Sequence, residues 1–190
     1  MGVVTVKVTN GQNINLAIAA ARVDELRAGA VRPLSDLATK PKGDVAESAY
    51  RNGLESLWLG NYDSAVGYFE NAVNKNPKRA DAWVKVGYCK VKQGKNQEAI
   101  RAYLEALQLK PADADIHNKL GDAFYYAGRM REAIDAYTEA ARLRPNCAEF
   151  FYNLAIVYFE SGNLTMAANE ARMLQRLEQK LYERYLRETM

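Results

Sequence analysis

The chain has 190 residues, enough for one domain with a substantial core or a modest repeat array. Hydrophobic residues make up 48% and charged ones 26%, which is too apolar for a disordered chain. The 26 basic residues are interleaved with 23 acidic ones for a formal charge of only +3, so no dense cationic stripe points to nucleic acid, and no apolar run is long enough to insert in a membrane.

At the N-terminus, Val4, Val6 and Val8 alternate with Thr5 and Lys7, which predicts a short strand. From Asn13, a plausible N-cap, a helix is predicted to run to Gly29, with Leu16, Ala20, Val23 and Leu26 along one face. Pro33, Pro41 and Gly43 then mark a linker. The helix is expected to cover the open side of the first repeat unit; partial disorder or a swap onto another chain are the alternatives. The alanine-rich tract from Ile14 to Ala21 lacks a basic region immediately before it and makes a poor signal peptide, so the expected location is the cytoplasm. Cys89 and Cys147 follow no metal-type spacing and are too few for a disulfide framework, which suits the same compartment.

From residue 46 the sequence repeats itself every 34 residues. Pro77, Pro111 and Pro145 keep that step, as do Ala65, Ala99, Ala133 and Ala167. So do Phe69, Tyr103 and Tyr137; Ala72, Ala106 and Ala140; Gly53, Gly87 and Gly121; and Gly60, Gly94, Gly128 and Gly162. Each unit reads as two amphipathic helices. In the second unit Trp83, Val86, Gly87 and Val91 recur at helical spacing before Gly94 ends the first helix. Ala99, Ile100, Tyr103, Ala106, Leu107 and Leu109 come next, before Pro111 stops the second. Gly87 and Ala99 are small enough for close helix approach, and Tyr103 is expected to fill the wedge against the next unit.

Helix B of the last unit meets no proline or glycine after Gly162. Leu164, Ala167, Ala171, Leu174, Leu177, Leu181 and Tyr185 give it an apolar stripe, and a continuous helix of about 27 residues would be roughly 40 Å long. Its end near Leu181, Tyr182, Tyr185 and Leu186 needs another surface. Either the helix bends back as a cap or it docks on a second chain.

The pattern closely resembles the tetratricopeptide-repeat (TPR) family, whose signature places W…L-G…Y on helix A and A…F…A…P on helix B. The resemblance implies an all-α, right-handed superhelical solenoid of four repeats at 46–79, 80–113, 114–147 and 148–181, with a helical tail over 182–190. The second and third units match best, through Trp83, Val86, Gly87 and through Leu120, Gly121, Phe124. The first departs at Asn52. The fourth keeps Phe151, Leu154, Tyr158, Gly162 and Ala167 and loses the proline, as terminal repeats often do.

In this family the inner face of helix A lines a concave groove, and the matching positions imply a binding surface for an extended or helical peptide of a protein partner. It comprises Tyr50, Arg51, Leu54, Trp58, Lys85, Tyr88, Lys92, Lys119, Tyr125, Tyr126, Tyr152 and Asn153, with Phe159, Leu57, Val91 and Ile156 beside them. First-turn acids Glu47, Asp81 and Asp115 stand four residues before Arg51, Lys85 and Lys119, the favourable order for helix-stabilising pairs. Alternatively the bases form a ladder for acidic partner side chains. Tyrosines flanked by Lys and Arg suit an extended peptide. Chaperone-binding members grip a C-terminal carboxylate at positions that here carry Tyr50, Leu54, Lys85, Asp115 and Lys119; only Lys119 preserves charge, so a clamp of that type is not supported.

Catalytic material is scarce. No HExxH, CxxC, GxGxxG or phosphate-loop motif occurs, and the sole histidine, His117, occupies the slot that Trp83 fills one unit earlier. No enzyme activity, metal or cofactor is expected. The expected role is a protein-interaction module, an adaptor or assembly scaffold. A dimeric secretion-type chaperone and a regulatory TPR domain of a larger enzyme or membrane protein are the alternatives. A homodimer through the C-terminal helix or the N-terminal extension is a further possibility, with no nucleic-acid partner and no membrane insertion.

Overall fold

The structure, a computed structural model, describes residues 3–7, 13–17 and 45–189. The chain divides into two units, Met1–Gly43 and Asp44–Met190.

In the first unit, strands β1 (Val3–Lys7) and β2 (Asn13–Ala17) pair antiparallel, Thr5 opposite Asn15 and Val6 opposite Ile14. The strand expected around Val4 and Val6 is present, but the start of the predicted capping helix is β2 instead. The physical reason lies in the residues themselves. Asn10-Gly11 sits between two alternating runs, a strong hairpin signal, and Ile14 and Leu16 continue the period of two that a helix cannot use. The remainder of that predicted helix, with Ala20, Val23 and Leu26, and the linker lie outside the described residues.

The second unit is all α. Eight helices succeed one another: α1 (Val45–Trp58), α2 (Tyr62–Lys75), α3 (Ala80–Lys92), α4 (Asn96–Leu109), α5 (Ala114–Tyr126), α6 (Met130–Leu143), α7 (Ala148–Glu160) and α8 (Leu164–Thr189). Each packs on the next in sequence, and α3 also touches α5, so the array is a helical-repeat solenoid whose odd-numbered helices form one layer and even-numbered helices the other.

The turn inside each unit depends on its glycine. Gly94 has φ of +73°, a left-handed conformation that costs a residue with a Cβ, and the Lys95 amide then donates back to the Lys90 carbonyl at 2.9 Å. The same closure recurs at Asn61, Arg129 and Asn163. Between units, α2, α4 and α6 each stop two residues before Pro77, Pro111 and Pro145.

Small residues set the helix spacing. Ala65, Ala99 and Ala133 are fully buried, as are Ala72, Ala106 and Ala140. A Cβ on Gly87 would stand 2.7 Å from the Tyr103 ring, and Gly53 and Gly121 meet Phe69 and Tyr137 as closely. Tyr103 therefore packs first on the glycine of its own unit, while also joining the core that includes Ile116 and Leu120 of the next. The largest apolar cluster runs through α4 to α8, and two smaller ones join α1, α2, α3 and α4.

Candidate functional site

The side chains of α5 and α7 are tied to one another along the layer of odd-numbered helices. Asn118, buried on α5, donates to Glu149 on α7 at 3.0 Å and accepts from Asn153 at 2.9 Å. Farther along, the Tyr125 hydroxyl donates to Glu160 at 2.9 Å. These contacts hold α5 and α7 side by side, and α3 packs on α5 in the same layer.

The pairing of charges on that layer differs from the i,i+4 scheme. Glu47 pairs with Arg79, not Arg51. Asp81 takes Lys110 at 2.8 Å, and Asp115 holds Arg144 through two hydrogen bonds of 2.9 and 2.7 Å. These three acids, at the starts of α1, α3 and α5, thus bind bases that follow the end of the next even-numbered helix, whereas Glu149 at the start of α7 accepts from Asn118 instead. At Asp115 the guanidinium of Arg144 grips the carboxylate in a fixed bidentate geometry, whereas Lys119 four residues along the helix offers one mobile contact. The Arg144 hydrogen bonds hold the Asp115 carboxyl below its ordinary range. Arg51, Lys85 and Lys119 consequently form no ion pair among the described residues.

Tyr50, Lys85 and Lys119 come together around one concavity of about 240 Å³, with Asp81, Val84, Asp113, Asp115 and Ile116. Asp113 is committed to capping α5, accepting from the amides of Asp115 and Ile116. Asp122, close enough to Lys119 and Glu149 to feel both charges, accepts a 2.7 Å bond from Tyr137; burial pushes its carboxyl up despite that bond.

The aromatic residues divide into two sets. Tyr50 is largely structural: its ring packs on Phe69, and the Arg79 guanidinium lies 3.8 Å above it. Tyr88 stands edge-on to Tyr62 with Lys92 over its ring, and Tyr125 is fixed by Glu160 and Tyr126. Trp58, Tyr126, Tyr152 and Phe159 are exposed, Trp58 by 91%, and Leu54 is exposed to a lesser degree. Asn153 is spent on Asn118, so its amide nitrogen serves the α5–α7 contact, not a ligand.

His117 shows why its slot is structural. Its Nε2 donates to the Pro111 carbonyl at 2.9 Å, and the Trp83 indole makes the same bond to Pro77 at 2.9 Å. No three His, Cys, Asp or Glu side chains among the described residues converge as a metal site requires, and no described helix is long and apolar enough to cross a membrane. Cys89 is buried, which raises its thiol to about 11 and leaves it unreactive near neutral pH.

Two features escaped sequence reasoning: the cross-unit bases Arg79, Lys110 and Arg144, and an apolar concavity of about 740 Å³ at the end of the array. The latter gathers Tyr152, Ile156 and Phe159 with Leu164, Ala168 and Leu174 of α8. Their place in the last unit was the available signal.

The family model for TPR repeats matches residues 87–128 and 121–162. Over those residues the chain carries tetratricopeptide repeats. Solved structures with the same arrangement include MamA, 20% identical, with 88% of this chain and 99% of that one covered at a TM-score of 0.71. The 41-end form of MamA from Desulfovibrio magneticus RS-1 is 22% identical over 84% of this chain and 93% of that one, with a TM-score of 0.70. A MamA from AMB-1 is 23% identical over 70% and 78%, with a TM-score of 0.62. At such identity the likeness shows the fold alone. No curated protein matches the chain. TPR arrays are interaction scaffolds, and protein partners are what this fold implies.

Proposed function

We propose that the four TPR units, 46–79, 80–113, 114–147 and 148–181, form a scaffold whose inner wall binds an extended or helical segment of a partner protein. The observation that carries this reading is the charge arrangement. Because Glu47, Asp81 and Asp115 are engaged by Arg79, Lys110 and Arg144, the cations Arg51, Lys85 and Lys119 are left for an external acid. Lys85 and Lys119 border the same concavity as apolar Val84 and Ile116. The segment it fits has carboxylates spaced to meet the two lysines and apolar residues between them. Tyr88, Tyr125, Tyr126 and Tyr152 extend the surface, and tyrosine supplies contact area at little entropic cost.

A random peptide library selected against the protein tests this. Enriched peptides should pair acidic with apolar residues, and Lys85→Glu with Lys119→Glu should weaken them by about 2 kcal/mol or more, the scale of a desolvated charge contact. Peptides that bind the double variant as well as the parent would remove the wall as the site.

A further inference from the structure

The last unit differs from the one before it in what lies against its first helix. The α5 face that carries Asn118 and Tyr125 meets α7, through Glu149, Asn153 and Glu160. The matching face of α7 carries Tyr152, Ile156 and Phe159, and among the described residues no further helix lies against it. Tyr152 is 55% exposed, Phe159 66% and Leu164 of α8 61%. With Ala168 and Ala171, both exposed, they border the apolar concavity of about 740 Å³.

This concavity is suited to apolar groups. Glu160 is the one charged side chain in its described lining, and its carboxylate already accepts the Tyr125 hydroxyl at 2.9 Å. A charged guest would be left without a partner there, whereas apolar side chains gain by leaving water. The volume falls within the range of about 300–1,000 Å³ typical of ligand pockets, so more than one large side chain can enter.

The concavity also lies next to the cations of the wall. Asn118 and Asn153 are joined by a hydrogen bond of 2.9 Å; Lys119 follows the first and Tyr152 precedes the second. Each is one Cα step of about 3.8 Å from its asparagine, so a group bound to Lys119 and one beyond the Tyr152 ring lie about 10–20 Å apart. Extended chain covers that distance in about three to six residues. Lys119 in turn shares the smaller hollow of about 240 Å³ with Lys85.

We propose that the α7–α8 concavity is the anchor pocket for the same partner segment, filled by its bulky apolar side chains while an acidic residue about three to six positions away meets Lys119. This rests on the reading of the wall as a peptide site, and adds the contact that fixes where along the wall the segment sits. Complementarity of charge and polarity selects the occupant. A purely apolar guest leaves Lys119 unanswered, and a purely acidic one leaves Phe159 and Leu164 in water.

A random peptide library selected in parallel against three proteins tests this: the parent chain, Lys85→Glu with Lys119→Glu, and Ala171→Gln. The last puts a neutral polar group at an exposed position of the concavity and leaves the charge of the wall unchanged. Parent-selected peptides should carry an acid and, about three to six residues away, Leu, Ile, Phe or Trp. In fluorescence anisotropy Ala171→Gln should weaken them by about tenfold or more, and its own selection should keep the acid and lose the apolar position. Circular dichroism verifies the fold, and Phe159→Ala, also at an exposed position, replaces Ala171→Gln if helicity is lost. Peptides weakened by the lysine changes but indifferent to the concavity variants would overturn the anchor pocket and leave the wall standing. Peptides indifferent to the lysine changes, or no enrichment on the parent, would overturn both. Self-association of the parent in sedimentation velocity that Ala171→Gln abolishes would give the concavity to a second copy, and would equally overturn the assignment.

Discussion

At the scale of residues, two glycines in neighbouring helices make opposite predictions. On α3, Gly87 faces the Tyr103 ring, whose atoms lie 2.7 to 2.9 Å from where a Cβ would stand, and Tyr103 is itself buried. Alanine has the better helix propensity by about 1 kcal/mol, but overpacking a fixed aromatic ring typically costs about 1–3 kcal/mol. Gly87→Ala should therefore lower the stability measured by urea unfolding. Gly67, inside α2, has no atom within 4 Å of that point, so Gly67→Ala should raise it by about 0.5–1 kcal/mol. Equal effects at the two sites would show that ring contact does not set the helix spacing. Asp122 supplies a pH-dependent case. Burial raises its carboxyl, with the bond from Tyr137 and the charge of Lys119 opposing and Glu149 adding to the rise. The folded state therefore binds the proton more tightly than the unfolded one, and stability from this group falls as pH rises above its ordinary value of 3.8. Asp122→Asn keeps an acceptor for Tyr137 and has no charge to bury. Thermal unfolding at pH 7 should find the variant at least as stable as the parent, with its advantage shrinking as the pH is brought toward 4. An advantage that grew with acidity would reverse this account.

At the scale of elements, what the sequence made legible came from periodicity. The 34-residue step is enforced by residues with a steric task, such as Gly94 in its left-handed turn and Ala99 between helices, so the helical units were readable one by one. The hairpin was not. The segment from Asn13 contains both a helical face, through Leu16, Ala20 and Val23, and a strand-like alternation in Ile14 and Leu16, and the signal that favours the strand, Asn10-Gly11, lies outside the segment and counts only when the run before it is read as its partner. Pairing with Val3–Lys7 decides for the strand. Side-chain choice on the wall was hidden for a related reason. A lysine four residues from an aspartate is visible in the sequence, while an arginine 29 residues away, as for Asp115 and Arg144, is brought near only by the turn between units. Lys90 shows the same long reach: burial would lower its amine, yet Glu70 at 2.8 Å and Glu98 at 2.7 Å outweigh that and raise it. Among the residues expected to line a groove, the exposure of Trp58, Tyr126 and Tyr152 follows from their place on the helices, while the engagement of Tyr50 by Phe69 and Arg79 and of Asn153 by Asn118 depends on neighbours distant in sequence.

For the whole helical array, stability is not spread evenly along its length. A solenoid whose helices touch chiefly their sequence neighbours behaves as a sum of unit stabilities and interfaces, so a weak region can open without unfolding the rest. The core that joins α4 to α8 holds Tyr103, Phe124, Tyr137, Phe150 and Leu154 in one contiguous cluster. Toward α1 the core divides into two smaller groups, centred on Phe69 and on Ala72 with Val73, and the outward positions Asn52 and Glu55 contribute nothing apolar. Buried apolar surface stabilises by about 25 cal/mol per Å², so the units built on fewer large side chains open first. Native-state hydrogen exchange should find the amides of α1 and α2 exchanging through openings of lower free energy than those of α5, α6 and α7. Leu120→Ala, at the centre of the large cluster, should cost about 2–5 kcal/mol and lower protection in α4 through α7 while changing α1 little. Loss of protection that extended equally to α1 would mean the array unfolds as one unit, and the divided core would then have no energetic consequence.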